Sequence, residues 1–255
     1  MTGFNEFFSG KLMVAVFENR LQMGAQAAKD VAKKIKELIN EKEFINIIFA
    51  AAPSQAEFLF YLAMEKDINW SSVNGFHMDE YIGLAKDAPQ RFAQFLNKNI
   101  FGKVSFHEVY YIDGNKADLD NECLRYGSLL KQYPADIVCM GIGENTHIAF
   151  NDPHTADFND PVLVKIVTLD EASRQQQVND RCFETLEMVP ATAITLTVPA
   201  LLQAKFIYCI VPGSKKAMAV YHTINEEVSE HFPSTSLKKH NNAMLYLDKE
   251  SAEKL

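Results

Sequence analysis

Short apolar runs alternate with helical patterns along most of the chain, and this alternation restricts the possible folds more than any other feature. The runs predicted as strands are 12–17, 45–50, 70–78, 108–112, 135–140, 163–169, 191–198, 206–211 and 243–247. Apolar residues at helical spacing follow several of them, as in 19–39, 91–97, 118–130 and 215–224. This order predicts one α/β domain over residues 1–255, with an open, mostly parallel, Rossmann-like sheet and helices on both faces.

The charge balance argues against nucleic acid or a membrane as a partner. The 255-residue chain has a net charge of −8, and its 25 Lys and Arg residues are scattered rather than clustered. No apolar stretch reaches the roughly 18 residues of a membrane span, and residues 1–11 lack the pattern of a secretion signal. The four cysteines have no paired spacing, which favours reduced thiols. We therefore expect a cytoplasmic protein.

A glycine-rich segment, 141–153, directly follows a predicted buried strand. Ligands of open α/β sheets bind beyond the carboxyl ends of the strands, and glycines such as Gly143 let the backbone approach a ligand closely. His147 is the candidate acid–base group, because an imidazole titrates near neutral pH. Asn145 and Asp152 are close enough in sequence to orient it. A histidine that is hydrogen-bonded only for structure is the alternative.

Two adjacent carboxylates, Asp79 and Glu80, end the predicted strand 70–78. Neighbouring strand residues point to opposite faces, so at most one of the two faces a cleft directly. A nearby like charge raises a carboxyl pKa, which suits a general base. A solvated or salt-bridged pair is the alternative.

A strand-to-helix loop containing Ala52, Ser54 and Gln55 is the candidate phosphate site. Ser54 and Glu57 match a capping box, so the helix is predicted to begin at Ser54. The first-turn N–H groups of such a helix can bind an anion. A tight, well-capped connection without a ligand is the alternative.

Two cations could clamp a phosphate, Arg174 with its bidentate guanidinium and Lys216 as a point charge. His154 and Asp157 could join the acidic and imidazole groups of the glycine-rich segment as metal ligands. Their spacing matches no recognised metal pattern, so no metal site is predicted.

Two motifs carry a resemblance to a known family. The segments 76–84 (FHMDEYIGL) and 143–153 (GENTHIAFNDP) resemble motifs of the glucosamine-6-phosphate deaminases (isomerases), which share a superfamily with 6-phosphogluconolactonase. Segments 168–174, 213–217 and 233–237 support it. In order and spacing the resemblance extends from residue 45 to residue 247.

The resemblance implies conversion of an amino-sugar 6-phosphate, glucosamine or galactosamine 6-phosphate, to a ketose 6-phosphate and ammonia. In the family, the Asp matching Asp79 moves a proton between C2 and C1, and the His matching His147 helps open the sugar ring. The phosphate is held by the loop after the second strand and by residues matching Arg174 and Lys216. Positioned acids and bases suffice for this chemistry, so no cofactor is expected. Members range from monomers to hexamers, which leaves a homo-oligomer open.

The sequence departs from the family pattern at three positions in the histidine loop. The family usually has Asp where Asn145 stands, Gly where Thr146 stands and Glu where Asp152 stands. An amide cannot stabilise an imidazolium as a carboxylate does, so we expect His147 to be a weaker base. On this basis Asn145→Asp is expected to raise activity. The phosphate loop also has Ala and Pro where the family is rich in Gly and Thr.

Two other functions remain open from the sequence. A 6-phosphogluconolactonase would share the fold and a Gly-x-Gly loop ending in a histidine, but lactone hydrolysis needs no proton shuttle between carbons and does not explain Asp79. A non-catalytic sugar-phosphate sensor would share the architecture. It would have to act through a partner, because no basic DNA-binding segment is visible.

Overall fold

The computed structural model describes residues 5–255, and its main element is an eight-stranded sheet. The strands of the chain are β1 (Asn5–Ser9), β2 (Leu12–Phe17), β3 (Ile45–Phe49), β4 (Val73–His77), β5 (Asp79–Tyr81), β6 (Glu108–Tyr110), β7 (Ile137–Met140), β8 (Val164–Thr168), β9 (Thr192–Leu196), β10 (Phe206–Val211) and β11 (Ala243–Asp248). The main sheet has the order β1-β2-β11-β10-β7-β3-β4-β6. Its pairs are parallel except β1–β2, which is antiparallel.

Helices cover both faces of this sheet. They are α1 (Arg20–Glu41), α2 (Ala56–Met64), α3 (Phe92–Leu96), α4 (Leu119–Gln132), α5 (Glu171–Asn179), α6 (Val198–Leu202) and α7 (Ala217–Asn225). All of β3 is buried; Ile47 belongs to the core beneath α1 and α2, and Ile48 to the core beneath α4 and α7. A strand covered on both faces reads as a continuous apolar run, which explains its sequence. The predicted fold class is confirmed.

Two predicted strands do not join the main sheet. The runs 163–169 and 191–198 form β8 and β9, which pair antiparallel with each other, and β9 pairs antiparallel with β5. The result is a separate three-stranded sheet in the order β5-β9-β8. An apolar strand pattern reports burial and not the identity or direction of the partner strand. The sequence therefore predicted where these strands lie along the chain but not which sheet they join.

Four elements were not predicted: β1, β5, α5 and α6. The sequence of α5 is almost wholly polar, so its helical spacing is carried by buried serine and glutamine residues instead of aliphatic ones. The available signal was its N-cap, since the Asp170 side chain accepts a hydrogen bond from the Ala172 N–H at 2.9 Å. Residues 1–4, part of the segment in which no secretion signal is predicted, lie outside the described range.

One predicted helix cap is confirmed and one is wrong. Asn19 caps α1 by accepting a hydrogen bond from the Gln22 N–H at 3.0 Å. The capping box of Ser54 and Glu57 does not form, because a 3-10 turn over Pro53–Gln55 precedes α2 without a side-chain cap. Glu57 instead forms a salt bridge of 2.8 Å with Arg20 across the contact between α1 and α2.

No helix within the described residues 5–255 is long and apolar enough to cross a bilayer.

Candidate active site

A cleft of about 500 Å³, its open mouth included, lies at the carboxyl ends of β3, β4, β7 and β10. The chain proceeds from β3 to β4 on one side and from β7 to β10 on the other, so the cleft opens where the strand order reverses. We call it the central cleft. Of the predicted site residues, those lining it are Ala52, Ser54, Gln55, Asp79, Gly143, His147 and Lys216.

The imidazole of His147 packs directly against the backbone of Gly143. A Cβ placed on Gly143 would lie 2.1 Å from Cε1 of His147 and 2.3 Å from each ring nitrogen. The Gly143 N–H donates to the His147 carbonyl at 2.9 Å, and the Thr146 N–H donates to the Gly143 carbonyl at 3.0 Å. Thr146 closes this loop at φ 71°, a conformation unfavourable for a β-branched residue and natural for the glycine of the family. Only glycine at 143 leaves room for the ring.

Three acceptors surround Nδ1 of His147. Asn145 Oδ1 lies 2.6 Å away, Ser173 Oγ 2.8 Å and Asp152 Oδ1 3.2 Å. The amide of Asn145 is oriented by its Nδ2, which donates to Asp152 Oδ1 at 3.0 Å. This arrangement places the proton on Nδ1. Nε2, which has no hydrogen-bond partner within residues 5–255, is left free for the cleft.

Asp152 is the charged member of this cluster and is fully buried. Burial by itself would raise its pKa, but hydrogen bonds from His147, Ser173 and Asn145 outweigh burial and hold the pKa below its ordinary value. Its second oxygen accepts from the Asp170 N–H at 3.0 Å. Asp152 is therefore an anion beside the imidazole at neutral pH.

Asp79 lines the central cleft together with His147. Its side chain is 6 % exposed, and burial, with a smaller contribution from the Glu80 charge, raises its pKa well above the ordinary value. Within residues 5–255 no N–H or O–H group donates a hydrogen bond to its carboxylate. Such a carboxyl group is free to exchange a proton with a bound molecule.

Lys216 provides the positive charge of the cleft. It follows β10 and is 6 % exposed, and burial lowers its pKa to about 8 against the opposing attraction of Asp180 and Glu144. A buried ammonium group without an anionic partner in contact is suited to hold an anionic ligand. The Ser54 hydroxyl lines the same cleft.

Comparison with known proteins decides the family. The model described as glucosamine-6-phosphate isomerases/6-phosphogluconolactonase matches residues 18–246. The chain belongs to this family. It is 36% identical to a glucosamine-6-phosphate deaminase of Bacillus cereus over 220 residues, which cover 86% of this chain and 81% of that protein.

Solved structures agree with this family assignment. A monomeric glucosamine-6-phosphate deaminase matches with a TM-score of 0.86 and 28% identity, covering 95% of this chain and 99% of that one. A 6-phosphogluconolactonase of Thermotoga maritima matches with a TM-score of 0.75 and 17% identity, covering 92% and 99%. The lactonase shares the fold, whereas the deaminases also share substantial sequence.

Two predicted binding residues of this family member do not reach the central cleft. Glu80 is fully buried on the other face of β5, where its carboxylate accepts from the N–H groups of Tyr81, Phe92 and Ala93. The alternation of strand residues put Asp79 in the cleft and so turned Glu80 away from it. Glu80 thus anchors the start of α3.

Arg174 is the second residue turned away from the cleft. Its guanidinium donates to the carbonyls of Leu186 and Val189, at 2.7 and 2.9 Å. Arg174 lies beside a cleft-facing turn of α5, and its positive charge suggested a ligand-binding role. The sequence did not reveal that backbone carbonyls accept hydrogen bonds from its guanidinium. Gln55 lines the cleft, but its amide is likewise used in a structural bond, to the Ile210 carbonyl at 3.0 Å.

The polar face of α5 was not predicted from the sequence. Ser173, Gln176 and Gln177 are buried there, and both glutamines line the central cleft. Gln176 Oε1 accepts from the Glu144 N–H at 2.9 Å, which ties α5 to the histidine loop. Polar residues spaced three and four apart behind a capping aspartate were the signal that could have identified this face.

The geometry reverses the expected effect of Asn145→Asp. A carboxylate would replace the Nδ2 donor with an oxygen 3.0 Å from Asp152 Oδ1, and two like charges at that separation repel. We expect Asn145→Asp to lower kcat about tenfold at neutral pH, the scale of one pKa unit. Steady-state rates from pH 5 to 9 measure this, with the exposed Asn115→Asp as a control. A higher kcat than the parent would restore the expectation drawn from the sequence.

Proposed function

We propose that the protein converts an amino-sugar 6-phosphate, glucosamine or galactosamine 6-phosphate, to a ketose 6-phosphate and ammonia. The observation that carries this proposal is the joint presence of a protonatable carboxyl group, Asp79, and an imidazole with a free Nε2, His147, in one cleft with a buried ammonium group. The names of its relatives support the same reaction.

Ring opening is the first step of the proposed reaction. His147 Nε2 accepts the proton of the anomeric hydroxyl. The imidazolium then gives this proton to the ring oxygen as the C1–O5 bond breaks. Asp152 offsets the positive charge that develops on the imidazole, because its carboxylate lies 3.2 Å from Nδ1. The products of this step are the open aldehyde and a neutral imidazole.

Proton transfer between carbons is the second step. Asp79 removes the C2 proton while the C1 carbonyl oxygen takes a proton from the substrate's ammonium group, which gives a neutral enolamine, and Asp79 then delivers its proton to C1. Water adds to the C2 iminium that results, and ammonia leaves as the ketone forms. Burial raises the pKa of Asp79, so its carboxylate is a stronger base than an exposed one and its acid form can return the proton to carbon.

The proposed role of Lys216 is to bind the substrate phosphate. Its ammonium group holds the phosphate dianion, with the Ser54 hydroxyl as a second donor. Under this proposal the phosphate would lie at the ends of β3 and β10, and the reacting carbons would lie near β5 and the histidine loop.

The pKa of Lys216 predicts the pH dependence of substrate binding. Because the pKa is about 8, the ammonium group loses its proton as pH rises above that value, so KM should rise above pH 8. Lys216→Met should raise KM about 10- to 100-fold at pH 7, the loss of one charge-assisted hydrogen bond. Lys215→Met, at the exposed neighbouring position, is the matched control. A pH-independent KM for the parent between 7 and 9.5 would contradict this role.

The decisive assay follows ammonia and ketose phosphate together. Purified protein receives glucosamine 6-phosphate, galactosamine 6-phosphate or 6-phosphogluconolactone in separate reactions. Equal release of both products from an amino sugar is the expected result. Lactone hydrolysis alone would establish the lactonase function instead, and tight binding of an amino-sugar phosphate without turnover would establish a sensor.

A further inference from the structure

We propose that Ser173 is a positioning residue that fixes the carboxylate of Asp152 and the proton-bearing nitrogen of His147 in one orientation. This inference rests on the proposed function, in which the imidazole opens the sugar ring. Ser173 does not line the central cleft, so it would act on the reaction only through His147.

The contacts of Ser173 lead to this role. Its side chain is 1 % exposed, its Oγ lies 2.8 Å from His147 Nδ1, and its hydroxyl donates to Asp152 Oδ1. The Asp170 N–H, three residues earlier, donates to the other oxygen of Asp152. The first turn of α5 and its cap therefore hold both oxygens of the carboxylate.

The hydrogen and the lone pairs of the Ser173 hydroxyl determine which hydrogen bonds it can form. A serine hydroxyl has one hydrogen and two lone pairs, and the hydrogen is committed to the anionic Asp152. Ser173 thus presents a lone pair to His147 Nδ1, as do Asn145 and Asp152. Each contact favours the tautomer with hydrogen on Nδ1, which leaves Nε2 as the base.

Within residues 5–255, Asp152 is the one carboxylate in contact with the imidazole, since the neighbouring Asn145 is a neutral amide. The carboxylate of Asp152 must therefore be held within reach of Nδ1, from which it lies 3.2 Å. Ser173 spans between the two groups. Without it, the imidazolium loses one acceptor at Nδ1 and a fixed orientation of its counter-charge, so the cation that forms during ring opening should be less well stabilised.

The test compares Ser173→Ala, Ser173→Thr and the exposed helical control Ser128→Ala. We expect Ser173→Ala to lower kcat about 10- to 100-fold with KM within twofold, and to move the acid limb of the kcat–pH profile to lower pH. Of the charged groups nearby, Asp152 contacts the imidazole, Asp79 and Lys216 line the same cleft, and Asp170 and Glu144 belong to the cap of α5 and the histidine loop; all are unchanged in the three variants. Ser173→Thr keeps the hydroxyl and should recover most of the rate and the parental limb.

A second measurement needs no turnover. Nitrogen NMR of the imidazole, assigned by loss of the signal in His147→Asn, should show the Nδ1–H tautomer in the parent and a smaller fraction of it in Ser173→Ala. An unchanged tautomer population together with an unchanged pH profile would overturn the inference, as would a parallel rise in KM. If the parent turns over no amino-sugar phosphate, the proposed function fails, and the NMR result still decides the role of Ser173.

Discussion

Asp79→Asn should lower kcat on the amino-sugar phosphate about 10³- to 10⁴-fold, the upper part of the range for loss of a general acid–base group. An amide has the shape of the carboxyl group but cannot take a proton from C2 and return it to C1. Substrate binding should persist, because the groups proposed to hold the phosphate, Lys216 and Ser54, are unchanged in this variant. Single-turnover and steady-state rates, together with ligand-induced shifts in Tm, measure the two effects separately.

The fold should tolerate this substitution. The pKa of Asp79 is raised in the folded state, so ionisation of its carboxyl group costs stability as pH rises above its ordinary value. Asn removes that cost, and Tm of the variant at pH 8 should equal or exceed that of the parent. Asp87→Asn, at an exposed position, is the matched control for the chemical change. Activity of Asp79→Asn within tenfold of the parent would reject Asp79 as the proton carrier.

Gly143→Ala should lower kcat about 10²-fold, the cost of moving a catalytic group by roughly 1 Å. The added methyl would lie 2.1 Å from the imidazole of His147, far inside contact distance, and the backbone on its other side leaves the ring as the part that moves. Displacing the ring breaks its contacts with Asn145 and Ser173. A crystal structure of the variant would show the new ring position, and the kcat–pH profile would show its effect.

Gly127→Ala is the matched control for the same added methyl. Gly127 lies inside α4, and a Cβ there meets only side-chain atoms of Leu163 and Val164 at 3.9 Å. Alanine stabilises a helix interior by about 0.5–1 kcal/mol relative to glycine. Tm should therefore rise slightly with kcat unchanged. If Gly143→Ala also keeps kcat within threefold of the parent, His147 does not act from the position seen here.

In the histidine loop, the local sequence pattern predicted which residues come together, and the tertiary structure determined how their side chains are oriented. A strand followed by a glycine-rich turn was enough to predict that His147, Asn145 and Asp152 meet at the end of β7. The directions in which their side chains form hydrogen bonds were not predictable from the sequence. The sequence suggested that Asn145 weakens the base, whereas the structure shows its amide bridging His147 and Asp152, a geometry that depends on α5 packing against the loop.

The sequence by itself determined the α/β class, the burial of strands such as β3 and the placement of Asp79 and His147 at strand ends. These follow from local periodicity and turn chemistry, which act over a few residues. Only the tertiary structure decided that β8 and β9 form a separate sheet, that Arg174 binds backbone carbonyls and that Ser173 joins the histidine cluster. Such contacts connect residues distant along the chain, and a polar side chain carries no local signal of which partner packing will bring to it.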